Sequence, residues 1–186
     1  MDNYEFDKAM NAFLEASDLA KSSNDQRLKA IVNINIGIGY MKQELFDRAE
    51  LYFQKSLALF LQLNDHYTPK AFFNLFESYV KLGKEKLAES IYKKGIENAM
   101  FWGDNEFIAK INLVRELMPD RGHKENIDRA FFNLQRLNLY PDIESYSIDF
   151  ARYFTRKGNL KIANHYYELN ILANFLLFYR QQTQLN

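Results

Sequence analysis

An all-α fold of stacked helix pairs is predicted from three features of the sequence: many large apolar residues with few chain breakers, an internal repeat, and helical spacing within each copy. Phe and Tyr number 16 and 12, against 7 Gly and 3 Pro in 186 residues. That leaves too few breakers for the many turns of an all-β chain. The length alone favours one domain over two, and a row of repeats fits it equally well.

The repeat is clearest from Asn35, Gly37 and Tyr40 to Phe46, Asp47, Ala49 and Phe53. This order of small and aromatic positions is that of a tetratricopeptide unit, with Asn33 where the pattern carries Trp. A second copy runs through Phe72, Asn74, Leu75, Phe76 and Tyr79, then Gly83 in the turn, Ala88 and Tyr92. Asn35 to Asn74 and Ala49 to Ala88 are both separations of 39 residues. A third match joins Phe150, Ala151 and Phe154 through Gly158 to Ala163 and Tyr167. The interval from Tyr40 to Ala49 is 9 residues, as it is from Tyr79 to Ala88 and from Phe154 to Ala163. The physical basis is close helix packing: Gly37 and Ala49 let two helices approach, and Tyr40 and Phe53 fill the space beside the contact.

The remaining elements follow in order. At the amino end Phe6, Asp7, Ala9, Phe13 and Ala16 match the second helix of a unit, Ala9 lying 40 residues before Ala49. No first helix precedes it, so the sequence is expected to begin midway through a repeat, whether upstream sequence is missing or the natural chain is short. A more diverged unit has a first helix through Ile108, Ile111, Asn112, Leu113 and Leu117, stopped by Pro119, then a loop at Asp120, Arg121, Gly122 and His123. Its second helix passes Ile127, Ala130, Phe131, Leu134 and Leu137. Pro141 opens the last pair at a favoured first-turn position. From Ile171 to Tyr179 the final helix is apolar around nearly its whole circumference, where a terminal helix should show a polar side. Both burial against the preceding pair and a homodimer contact account for it. The prediction is therefore an all-α, tetratricopeptide-like helical-hairpin solenoid, one domain over 1–186, with a half repeat at 1–23 and repeats at about 25–64, 67–101, 104–138 and 141–182.

Chemistry is sparse. Lys plus Arg and Asp plus Glu balance at 24 each, which provides no basic field for phosphate binding and argues against nucleic acid as a partner. Cys is absent, removing disulfides, thiolate metal sites and thiol nucleophiles together. His66, His123 and His165 are far apart and lack partners at metal-ligand spacing, so no metal is expected. Gly37 and Gly39 sit inside a helical period with no preceding strand, unlike a phosphate loop. Acidic pairs such as Glu85 and Glu89 or Asp142 and Glu144 are the solvated faces that a charge-rich helical chain produces. No catalytic residue, cofactor motif, signal peptide or apolar run long enough for a bilayer is found, and we expect a non-enzymatic cytoplasmic protein with no membrane contact.

In stacked helix pairs the first helices line the concave side. Equivalent places there hold Asn35, Asn74, Asn112 and Asp149. An amide offers both a donor and an acceptor, as an extended peptide backbone needs; a hydrogen bond between neighbouring repeats is the alternative use. Three residues further along stand Ile38, Glu77, Arg115 and Arg152. Arg115 or Arg152 could anchor a peptide carboxylate and Glu77 a basic side chain, or the arginines form surface ion pairs. Lys42, Lys81 and Arg156 lie seven residues beyond the Asn row.

The stretch from Leu137 to Glu144, followed by Asp149 to Phe154 and Lys157 to Ala163, resembles the last repeat of the Rap family, the response-regulator aspartate phosphatase-like quorum-sensing receptors of Gram-positive bacteria. The longer repeat spacing and the first-helix Asn are similar too, and the resemblance covers most of the chain. It implies a domain that closes on a short secreted and reimported peptide, its backbone held by first-helix Asn residues. By position these are Asn35, Asn74 and Asn112, while Asp149 departs from the amide. Family members also carry an amino-terminal module that engages a response regulator or binds DNA, and nothing here resembles either. The sensor half is what the resemblance leaves, with a general scaffold that docks a folded protein as the alternative.

Overall fold

The computed structural model describes residues 3–184, with the side chains of residues 3–7, 9, 10, 14, 21 and 184 outside the description. The expected contacts of Phe6, Asp7 and Ala9 therefore lie outside the described residues. Among the described residues the secondary structure is helical throughout: α1 (Asn3–Ser22), α2 (Gln26–Lys42), α3 (Phe46–Leu63), α4 (Thr68–Lys81), α5 (Glu85–Trp102), α6 (Asn105–Arg115), α7 (Lys124–Arg136), α8 (Tyr140–Arg156) and α9 (Leu160–Gln184). Two compact units divide the chain, Met1–Ile111 and Asn112–Asn186.

In the first unit α2 pairs with α3 and α4 with α5, while α3 also packs on α4, α1 on α2, and α2 reaches α4. Gly37 makes the α2–α3 approach close: a Cβ built there would lie 2.4 Å from the Phe53 ring. Ala49, Phe53 and Phe60 are fully buried behind it. Ser56 Oγ donates to the Ala30 carbonyl at 2.8 Å, pinning the same pair by a buried polar contact. In the second pair Gly95 repeats the device against the Phe72 side chain, 3.3 Å from a built Cβ.

The turns share one backbone requirement. Gly83 and Gly158 take left-handed φ of 66° and 73°, as expected of turn glycines, Glu44 takes φ of 60° at the matching place between α2 and α3, and Asn64, Gly103 and Asn138 take φ of 48°, 66° and 58° in the turns that join one pair to the next. The left-handed turn is therefore common to these hairpins, although a side chain there is strained for all but Gly and Asn.

In the second unit α8 packs along α9 and also against α7. Phe150 and Tyr166 are fully buried, and the Phe131 ring meets both, with centroids 5.8 and 5.7 Å away. The first helix of the diverged repeat ends at Arg115, before the expected Leu117. Its continuation turns so that the buried Glu116 carboxylate accepts from Gly122 N at 3.1 Å and His123 N at 3.0 Å, holding the loop that leads into α7. Pro141 sits in the first turn of α8.

Candidate functional site

α4 is the most instructive element of the first unit. Ten of its 14 residues are buried, so that from Thr68 to Tyr79 only Lys70 and Glu77 are not. Such a helix reads as core, and a polar residue on it must justify its desolvation. Asn74 is 6% exposed, and its Nδ2 is fully sealed from solvent without a hydrogen-bond partner. Buried amides are satisfied in the great majority of proteins, and an unmet one calls for a reason.

Asn35 is half-buried on α2 between the buried Ile34 and Ile36, and Ile38 is half-buried one turn on. Because α2 and α4 touch, Asn35 and Asn74 stand at equivalent registers of two adjoining first helices. Glu77 is half-buried three residues after Asn74 and is engaged by another residue, as is Lys81, while Lys42 is exposed.

Two polar ties hold these helices in register. Arg27 on α2 donates through Nε to Asp65 Oδ2 at 2.6 Å, in the turn between α3 and α4, and its guanidinium stands 5.0 Å from the Tyr67 ring centroid. Burial alone would raise the Asp65 carboxyl, but the Tyr67 amide and the Arg27 guanidinium outweigh it and hold it below the ordinary carboxylate value. On the other side Lys84 pairs with the buried Glu50, whose Oε1 accepts from Gln54 at 3.0 Å, and Gln54 also donates to Tyr79 Oη at 3.2 Å. The hydrogen bond to Glu50 raises the Lys84 ammonium against the opposing effect of burial.

In the second unit Asn112 is exposed and Arg115 half-buried on one side of α6, and Asp149 is half-buried with Arg152 exposed on one side of α8. Asn112, Arg115 and Asp149 are each engaged by another residue; Arg156, like Arg152, is exposed. The four members of the Asn row therefore differ in environment from fully sealed to open, and two of them, Asn35 and Asn74, lie on helices that touch, α2 and α4.

Two hollows were not foreseen. One of about 750 Å³ in the first unit is lined by Lys29, Asn33, Tyr52, Lys55 and Gln62. Asn33 lies two residues before Asn35, about 200° around the helix, so this hollow faces away from the Asn row. It presents a small amide where the repeat pattern has a Trp ring, and that missing ring was its sequence signal. The other, of about 280 Å³, lies among α7, α8 and α9 in the second unit.

No family model matches the chain. Response regulator aspartate phosphatase I of Bacillus subtilis is 30% identical over 173 residues, which are 93% of this chain and 44% of that protein. Response regulator aspartate phosphatase J of the same organism is 29% identical over 89% of this chain and 44% of its own length. Homologues of this chain thus include Rap proteins of Bacillus. The crystal structure of the apo form of RapI matches with a TM-score of 0.86 at 29% identity, covering 93% of this chain and 63% of RapI. A Rap protein complexed with Competence and Sporulation Factor matches with a TM-score of 0.88 at 26% identity, covering 94% of this chain and 48% of that one. The all-α helical-repeat fold is thus shared with Rap structures, and the chain spans a little under half the length of the curated Rap proteins it matches. Among the described residues no helix is long and apolar enough to cross a membrane.

Proposed function

We propose that this chain is a peptide-binding sensor segment of a Rap-type quorum-sensing regulator, holding a short linear signalling peptide by its backbone. The observation that carries the proposal is the Asn74 amide, which has its donor sealed in the first unit with no acceptor of its own. A peptide carbonyl meets that need once the Asn74 side chain turns out of its packing, and Asn35 on the adjoining helix offers the next donor and acceptor along an extended strand. The similar structure complexed with Competence and Sporulation Factor supports the same reading.

Within the proposal Ile38 and Glu77 read peptide side chains in the first unit, and Asn112, Arg115, Asp149 and Arg152 are the corresponding set of the second. The repeat division at 25–64, 67–101, 104–138 and 141–182 belongs to it as well. So does a cytoplasmic location, where a reimported peptide and a response regulator partner would be met. The names of the relatives carry a phosphatase activity that belongs to proteins more than twice as long, and we assign no catalysis to this stretch. Phosphate release from a phosphorylated response regulator mixed with the chain tests that assignment; turnover would refute it.

The direct test is thermal unfolding with Competence and Sporulation Factor and with a library of short linear peptides as probes. A ligand that binds the folded state raises the melting temperature. A scaffold that docks only folded proteins, the second reading, gives no shift with any peptide. The exposed apolar face of α9 is what favours that reading, and it has a separate explanation.

A further inference from the structure

The two sides of α9 are unlike. Ala163, Tyr166 and Ala173 face inward and are buried, while Ile171, Leu172, Phe175, Phe178 and Tyr179 on the other side are each more than half exposed. From Leu169 to Tyr179 there is no charged residue, so the exposed side chains form a continuous stripe. Patches of this kind mark contact surfaces.

The hollow of about 280 Å³ in the second unit opens at the edge of this stripe, since Leu172 and Leu176 line it together with Phe131, Phe132 and Ile143. Its polar end is already satisfied. Asp128 accepts from Tyr166 Oη at 3.0 Å, pairs with Lys124, and has His165 Nε2 at 3.7 Å. What the hollow lacks is an apolar group, and it is large enough to admit a phenyl ring.

We propose that this face is a two-fold interface with a second copy of the same chain, α9 crossing α9 so that Phe175 or Phe178 of each copy enters the hollow of the other. A two-fold contact requires one patch to be complementary to itself, and this patch carries both the projecting rings and the recess that fits them. The area is sufficient: the stripe and Phe132, at roughly 100 Å² of exposed surface per side chain, give about 600 Å² per copy before the rim is counted, close to the ~800 Å² per partner of a standard interface. A lipid surface is a poorer occupant, because a membrane-lying helix carries basic residues on its polar side and no Lys or Arg lies between Lys161 and Arg180. The inference does not depend on the peptide reading.

Sedimentation velocity of the 186-residue chain over a wide concentration range tests it. The expected mass at high concentration is twice the 22.1 kDa of one chain. Phe175→Glu and Phe178→Glu, at residues 62% and 60% exposed, are each expected to restore the single-chain mass with helical circular dichroism and melting temperature retained. Phe132→Glu, at the rim of the hollow on α7, is expected to do the same. A wild-type chain that stays at 22.1 kDa throughout overturns the proposal, as does a dimer that survives both α9 substitutions.

Discussion

Removing the side-chain amide of Asn74 is expected to stabilise the empty protein and weaken the liganded one. A buried donor without an acceptor costs about 1–3 kcal/mol. Ala in place of Asn inside a helix gains about 0.5 kcal/mol more. Against this, the volume lost is roughly 25 Å³, and at about 24 cal/mol per Å³ the cavity costs near 0.6 kcal/mol. The balance favours Asn74→Ala by about 1 kcal/mol or more. For a chain of this length the unfolding entropy is roughly 0.4 kcal/mol per kelvin, so the empty protein should melt about 3 °C higher.

The liganded side runs the other way. A peptide at about 100 times its Kd adds about 2.7 kcal/mol, near 7 °C. Losing one hydrogen bond of about 1.4 kcal/mol weakens binding tenfold and leaves roughly half of that shift at the same peptide concentration. Differential scanning fluorimetry with and without Competence and Sporulation Factor, or a peptide selected from the library, measures both quantities on one sample. If the empty variant melts several degrees lower, the amide is a structural part of α4. If it melts higher and the peptide shift is undiminished, Asn74 is outside the site.

Other substitutions test the frame that holds the amide. Gly37→Ala gains about 1 kcal/mol of helix propensity but overpacks a contact at which the new Cβ would lie 2.4 Å from the fully buried Phe53 ring; since the ring cannot retreat, urea unfolding should show a net loss of about 1–2 kcal/mol. Glu44→Gly removes a side chain from a left-handed position at φ 60° and is expected to stabilise by about 1 kcal/mol in the same assay. Asp65 has a folded pKa held below its ordinary 3.8, so its contribution is present above that value and fades as pH falls through the lower folded one. Melting temperature followed from pH 6 downward should drop less steeply in Asp65→Asn than in the wild type.

What could be read from the sequence was whatever one residue type determines by itself. Gly37 predicted a close helix approach because only a missing side chain permits it, and the Phe53 ring occupies that space. Gly83 and Gly158 marked turns, but Glu44 and Asn138 serve the same backbone conformation without announcing it. Burial was not legible where it depends on neighbours. Asn74 and Asn112 are the same residue at the same register, yet the first is sealed by the helices around α4 and the second is exposed. α9 gave no face at all, because its apolar residues surround the helix and only the packing of α8 against Ala163, Tyr166 and Ala173 decides which side remains outward.

Two of the places where the described residues depart from ordinary packing are opposite in kind. At Asn74 a polar group is buried without its partner, and along α9 large apolar groups are exposed without theirs. Each departure costs stability in the isolated chain, and the surrounding structure is ordinary: the α2–α3 contact is close and polar-tied, and the Glu116 loop is fully engaged. A sequence locally consistent elsewhere tends to break its rules where something else completes them. The missing complements are different, an acceptor such as a peptide carbonyl in one unit and an apolar ring in the other. A single partner that satisfied one would leave the other unchanged, so peptide addition should leave the sedimentation mass of Phe175→Glu at that of one chain while still raising its melting temperature.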